Sequence, residues 1–223
     1  MLSVNSVQKL KDFFRESPIR YRKKDIILHP DTSPNSIFFI KSGYIRAYRI
    51  SESGEELTLI ILKTGDLFPI TAGIQDLQNN YYVEAITSVE IVKASKDDFS
   101  EFLKTNPDVL YELTNDILSR FGTLLTRMEY LIVSHAYEKV ASTLLICAQN
   151  FGEQRGLDVV LKLPLTHKDI ANLAGITRET TCLEMKKLEK KGLIGRLGRL
   201  FVVKDIKKLE EELLISTTYY NDY

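Results

Sequence analysis

Cysteine is scarce in this chain of 223 residues: Cys147 and Cys182 lie far apart, and neither sits in a CxxC. That count excludes a disulfide framework, a zinc ribbon and a four-cysteine iron–sulfur cluster. Long hydrophobic runs are also missing. The richest stretches, such as Leu57–Leu62, fall far short of the roughly 20 residues that a membrane span needs. The start of the chain, Met1 to Phe14, carries Lys9, Lys11 and Asp12 and no apolar stretch of signal-peptide length. Net charge is absent too, with 30 Lys or Arg against 30 Asp or Glu. There is no P-loop, no GxSxG, no HExxH and no glycine-rich fingerprint after a strand, so nothing in the sequence proposes an enzyme, a catalytic residue, a metal site or a cofactor. A reduced, soluble, cytoplasmic protein with no membrane partner is the expectation.

What the chain does have is the composition of an ordinary folded protein, 44% apolar and 27% charged. Its length suits two domains with real cores better than one small domain. From Ile19 to about Val92, short apolar or alternating runs are separated by turn residues. Asp25–Leu28 precedes His29-Pro30-Asp31, Ile37–Ile40 leads to Lys41-Ser42-Gly43, and Tyr44–Ile50 alternates up to Ser51-Glu52-Ser53-Gly54. Leu57–Leu62 ends at Lys63-Thr64-Gly65-Asp66, and Tyr81–Ile86 and Val89–Ala94 follow. Short strands at roughly 8–12-residue spacing predict a small antiparallel barrel or sandwich.

The pattern changes at Ser95. Lys96-Asp97-Asp98-Phe99 opens a short helical stretch that Asn106-Pro107 punctuates. Asp108 starts a long run reaching about His135, in which Leu110, Ile117, Leu124 and Leu131 recur at sevenfold spacing. Leu113, Phe121, Leu125, Met128 and Ile132 fill the neighbouring face. Such a seam predicts dimerisation through a helix about 40 Å long. The interface residues would be Leu110, Leu113, Ile117, Phe121, Leu124, Met128 and Leu131. Packing of the same helix on its own barrel is the alternative. Beyond it, Tyr137–Phe151 reads as another helix and Val159–Leu163 as a short strand.

The stretch from Leu165 to Lys191 has the anatomy of a helix-turn-helix. Thr166 can cap a first helix, with Asp169 in its first turn and Ile170, Leu173 and Ala174 facing inward. Gly175 can supply the left-handed end. Thr177 caps a second helix, Arg178–Lys191, with Thr181, Met185 and Leu188 inward. Such a helix enters the major groove of DNA with its N-terminal residues at base edges. Those residues are Arg178, Glu179, Thr181 and Cys182. Arginine can donate twice to guanine and glutamate can accept from cytosine. Arg196-Leu197-Gly198-Arg199, between Ile194 and Leu200–Val203, makes the hairpin of a winged helix. Arg196 and Arg199 at its tip are candidate phosphate contacts, together with Thr166, His167, Thr177 and Lys186. From Lys162 to Lys208 there are 12 Lys or Arg against 5 Asp or Glu, so the neutral total conceals a basic segment suited to double-stranded DNA.

In this order, barrel, long helix and winged helix-turn-helix, the chain resembles the cyclic-AMP receptor / fumarate-nitrate regulator (CRP/FNR) superfamily of bacterial transcription regulators over nearly its whole length. The similarity is carried by Ile40-Lys41-Ser42-Gly43-Tyr44-Ile45-Arg46, Leu62-Lys63-Thr64-Gly65-Asp66-Leu67-Phe68, Thr166-His167-Lys168-Asp169-Ile170-Ala171, Thr177-Arg178-Glu179-Thr180 and Leu188-Glu189-Lys190-Lys191-Gly192-Leu193-Ile194. The resemblance implies an α+β protein. A cyclic-nucleotide-binding-like β-barrel (jelly roll) would occupy residues 1–107, a dimerisation helix 108–136 and a winged helix-turn-helix DNA-binding domain 137–223. It also implies a homodimer on an inverted repeat, Arg178 and Glu179 as the base-reading pair, and RNA polymerase as a partner of the Gln154–Asp158 loop. The family's usual second arginine, four residues after Glu179, is Leu183 here.

The family's cyclic-AMP binders hold the cyclic phosphate with a Glu after the Gly-Asp turn and an Arg-Ser pair. Here Gly65-Asp66-Leu67-Phe68-Pro69-Ile70-Thr71 has no Glu, and Gln78-Asn79-Asn80 has no Arg. The oxygen-sensing branch needs four cysteines, and no two of the three histidines form an obvious haem pair. An effector other than cyclic AMP is therefore expected, with Phe68, Ile70, Tyr81, Tyr82, Leu124 and Met128 as the candidate pocket. The alternative is an effector-independent regulator whose barrel serves only structure and dimerisation.

Overall fold

Alternation in the first half of the chain becomes two four-stranded antiparallel sheets in the computed structural model, which describes residues 3–32, 35–69 and 78–218. The chain divides into two compact units, Met1–Arg120 and Phe121–Tyr223. The strands of the first unit are β1 (Ile19–Tyr21), β2 (Ile26–Leu28), β3 (Ser36–Ser42), β4 (Tyr44–Ile50), β5 (Glu56–Lys63), β6 (Leu67–Phe68), β7 (Tyr82–Ala85) and β8 (Val89–Ser95). They form sheets in the orders β1-β8-β3-β6 and β2-β7-β4-β5. Ile40, Phe68 and Ile91 from the first sheet pack with Ile45, Ala47, Val83 and Ala85 from the second, giving one apolar core. The chain passes from one sheet to the other at Gly43. Its φ is +94°, and a Cβ there would stand 2.3 Å from the Ser88 carbonyl oxygen, so only glycine fits without a backbone shift.

The period of two puts alternate residues of β3 on the other side of the first sheet. Ile37 and Phe39, with Val92, form a second core covered by three helices. These are α1 (Val4–Phe13), α2 (Lys96–Thr105) and α3 (Pro107–Val133), which contribute Leu10, Phe99 and Val109, with Phe14 just past the end of α1. Phe14 stacks on Phe39 with ring centroids 5.3 Å apart. Ser3 and Ser95 cap α1 and α2 by accepting from the N–H of Ser6 and Asp98. The Asp66 carboxylate accepts from the Lys63 N–H at 2.8 Å and from the Arg120 guanidinium at 2.5 Å, tying the turn before β6 to α3.

The opposite face of the β4–β7 pair holds a feature the sequence did not announce. Arg46, 9% exposed, bridges Glu56 at 2.8 Å and Glu84 at 3.0 Å, and lies 4.2 Å over the Tyr48 ring. Burial would lower the Arg46 pKa, but the hydrogen bonds it donates to Glu84 and Glu56, with their negative charge, outweigh that and raise it.

Helix α3 leaves a row of its large apolar residues uncovered in the single chain. Leu110, Ile117, Phe121, Leu124 and Met128, spaced three, four or seven apart, are 40–57% exposed. Leu131 is half-buried. Leu113 departs from the sequence reading: it packs against the second barrel core, because α3 starts as part of that cover. The helix begins at Pro107 and ends at Val133, three residues short of the expected end.

In the second unit, α4 (Ala136–Phe151) is the central helix, with Val140, Ala141 and Leu144 almost fully buried. Around it lie the strands β9 (Gly152–Arg155), β10 (Asp158–Leu161), β11 (Ile194–Leu197) and β12 (Leu200–Val203), in sheet order β11-β12-β10-β9. Helices α5 (His167–Ala174), α6 (Arg178–Lys190) and α7 (Ile206–Thr218) complete it. The Arg127 guanidinium of α3 donates to the Leu173 carbonyl near the end of α5, at 2.6 Å. Strand β9 corrects the loop expected at Gln154-Arg155: its polar residues pair with β10 in an edge hairpin.

Candidate nucleic-acid interface

The α5–turn–α6 segment is fixed by local chemistry. At its start the Thr166 hydroxyl oxygen accepts from the Asp169 N–H, while the Asp169 carboxylate accepts from the Thr166 N–H, a reciprocal cap. Ile170, Ala171 and Ala174 are fully buried. Gly175 ends α5 in the left-handed region at φ 62°, and the Ile176 N–H bonds back to the Ala171 carbonyl. Thr177 then caps α6 by accepting from the Thr180 N–H.

Burial decides which side of α6 is available. Glu184, Met185 and Leu188 face inward, while Arg178, Glu179, Leu183 and Lys186 are exposed and Cys182 is a half-buried free thiol. Thr181, expected among the base readers, is corrected: it is fully buried and its hydroxyl donates to the Thr177 carbonyl at 3.0 Å. Thr166 is altered as well. Its hydroxyl hydrogen is donated to the Asp169 carboxylate at 2.7 Å, so the side chain has none left for a phosphate. The Thr177 hydroxyl stands 2.9 Å from that of Thr180.

The hairpin β11–β12 turns at Gly198-Arg199, with Arg199 exposed at the tip. Arg196 is held by two neighbours. Its guanidinium lies 4.0 Å over the buried Phe201 ring, and one nitrogen is 3.4 Å from His167 Nε2. Burial, then the positive charge of Arg196, holds the His167 imidazole below its ordinary pKa. Phe201 as the platform under Arg196 was missed in the sequence, although it alternates with Leu200 and Val202 on a strand facing the core. Arg178, Lys186, Arg196 and Arg199 make no salt bridge among the described residues. Lys187, Lys191 and Lys204 are neutralised by Glu184, Glu212 and Asp158. Arg178, Glu179 and Lys186 thus stand exposed on α6, His167 lies against Arg196 and within the electrostatic reach of Arg178, and Arg199 tips the hairpin.

The candidate effector residues belong to different units. Phe68 fills the barrel core at 3% exposure and stacks on Phe38, and Tyr81 packs against the same core. Tyr82 does not join them: Val83 and Ala85 take the inward positions of β7, so Tyr82 stacks on Tyr48 across the opposite face. Leu124 and Met128 belong to the second unit, and Ile70 lies outside the described residues.

Comparison with known proteins matches both units. A Crp-like helix-turn-helix domain model covers residues 138–212, and a cyclic nucleotide-binding domain model covers 18–106. The global nitrogen regulator of Nostoc sp. is 25% identical over 177 residues, 78% of this chain and 79% of that protein. The cAMP-activated global transcriptional regulator CRP of Salmonella typhimurium is 25% identical over 185 residues, 82% of this chain and 88% of that one. Among solved structures, a CooA mutant from Carboxydothermus hydrogenoformans aligns with a TM-score of 0.78 at 24% identity, over 96% of this chain and 98% of that one. FixK2 from Bradyrhizobium japonicum aligns with a TM-score of 0.73 at 21% identity, over 87% and 96%.

Proposed function

We propose that the chain, which matches a Crp-like helix-turn-helix domain over residues 138–212 and a cyclic nucleotide-binding domain over 18–106, is a DNA-binding transcription regulator of the CRP/FNR family that works as a homodimer on an inverted repeat, each copy laying α6 in the major groove of one half-site. The observation that carries this reading is the pairing of an exposed Arg178-Glu179 at the start of α6 with an arginine-tipped hairpin beside it. Arg178 donates to guanine O6 and N7, and Glu179 accepts from cytosine N4. Arg196, Arg199, Lys186 and His167 hold phosphate and set the register. The uncovered stripe of α3 supports the homodimer. By analogy with the family, the β9–β10 turn at Gly156-Leu157 is where RNA polymerase would be met.

Selection of bound duplexes from random DNA by the purified protein tests the reading directly. Enrichment of an inverted repeat is the expected result; salt-sensitive binding without sequence preference would refute it. On the selected site, Arg178→Ala should cost about 1–3 kcal/mol and relax preference at one base pair per half-site. Arg199→Ala should instead weaken all sequences alike and lower the salt slope by about one per half-site. Identical behaviour of the two variants would dissolve the division between reader and clamp.

The effector, in this reading, is not cyclic AMP. A cyclic phosphate needs a fixed cation or nested amides. The segment leading to β7 offers Gln78-Asn79-Asn80, and the Asn79 amide is already spent on the carbonyls of His29 at 2.8 Å and Tyr81 at 2.6 Å. Calorimetric titration with cyclic AMP should show no saturable heat; tight binding would overturn this part. The filling of the barrel core by Phe68 favours a second reading, in which the regulator works without an effector.

A further inference from the structure

A leucine stands where the reading side of α6 meets open solvent. Leu183 is 59% exposed and lies one turn beyond Glu179, on the side that also carries Arg178 and Lys186. A single exposed leucine is unremarkable on most protein surfaces. Here its position gives it meaning. The inward side of α6 is taken by Thr181, Met185 and Leu188, so Leu183 is not held outward by a failure to reach the core. Its flanking residues are accounted for as well: Glu184 is paired with Lys187, and Cys182 presents a half-buried thiol beside it.

We infer that Leu183 is a specificity-determining residue that reads the C5-methyl group of a thymine in the major groove; this rests on the DNA-reading role given above to α6. Leucine has neither donor nor acceptor, so the nitrogens and oxygens of the base edges give it nothing. The thymine methyl is the one apolar group that unmodified base pairs present in that groove. A rise of 1.5 Å per residue places Leu183 about 6 Å along the helix from Glu179. It therefore meets a neighbouring base pair, not the one Glu179 contacts. Opposite any other base the leucine would cover polar edges that have lost their water, so discrimination comes from both the methyl gained and the polar groups left unpaired.

Deoxyuridine supplies the test, because it differs from thymidine by that methyl alone. Each thymine of the selected inverted repeat is replaced in turn by deoxyuridine, and affinity is measured by fluorescence anisotropy at fixed salt. One position per half-site should lose about fourfold, the worth of one buried methyl-sized group, and about 16-fold when both half-sites are changed. In Leu183→Ala the same replacement should cost nothing, while thermal unfolding stays unchanged because the side chain is exposed. Leu183→Met should keep part of the discrimination. A flat deoxyuridine scan, or a penalty that persists undiminished in Leu183→Ala, would overturn the inference while leaving the inverted repeat standing. Failure to select any inverted repeat would instead strike at the DNA-reading role itself.

Discussion

Leu124→Asp should leave the protein monomeric and weaken binding to an inverted repeat by about 10²–10⁴-fold. In a dimer seam built on α3, residue 124 of each copy would meet its counterpart, so the change sets two carboxylates together in a desolvated interface, while the nearest cations of the helix, Arg120 and Arg127, are engaged by Asp66 and Asp116 and by the Leu173 carbonyl. The monomer keeps its reading helix, and affinity for an isolated half-site should change little. What it loses is the second contact made at high effective concentration once the first half-site is bound. Sedimentation equilibrium reads the mass and anisotropy reads the DNA. Thr126→Asp is the control: Thr126 is exposed on the far side of the same helix, so the charge should leave both measurements as they were. A dimer that survives Leu124→Asp would mean that the exposed stripe serves something other than self-association.

Arg46→Ala should destabilise the first unit by about 3 kcal/mol, the low end of what removing one partner of a buried ion pair costs. The low end applies because Glu56 keeps about a third of its side-chain surface in water. Two carboxylates would face each other across the vacated space, beside a Tyr48 hydroxyl already pushed up to about 12 by burial and by Glu84. For a chain of this size the loss corresponds to a fall of roughly 6–12 °C in Tm, which calorimetry resolves. The double change Arg46→Met with Glu84→Gln should recover much of it, since an apolar side chain of similar length covers Tyr48 and one charge has gone. If the single variant melts with the wild type, the network is a surface ornament and its burial means little.

Much of this was legible in the sequence where local chemistry decides. The helix-turn-helix could be placed from Thr166, Asp169, Gly175 and Thr177, because caps and a left-handed glycine act within a few residues and need no tertiary partner. The wing followed from Gly198 between two apolar runs. What escaped depends on neighbours distant in the chain. Helix α1 carried a serine cap and Leu10 and Phe14 at helical spacing, yet only the distant Phe39 and Phe99 give those residues a surface to bury. Strand β9 is too polar to read as a strand and exists because β10 pairs with it. Arg46 sits between Ile45 and Ala47 like any solvent-facing residue of an alternating strand, and only Glu56 and Glu84 on the two adjoining strands, with Tyr48, bury it on that outer face. Thr181 was placed on both faces of α6 at once; its bond to the Thr177 carbonyl and its burial choose the inner one.

The hydrogen bond from Arg127 to the Leu173 carbonyl turns a joint into a latch. Helix α3 ends at Val133 and α4 begins at Ala136, so Ser134 and His135 form the joint between them. Arg127 lies before that joint and Leu173 lies 46 residues further on, so their bond closes a loop across it. The carbonyl belongs to the negative end of α5, where a cation is favoured. Helix α3 therefore cannot turn against α5 without breaking this bond, so the joint is fastened at two points of the sequence and not one.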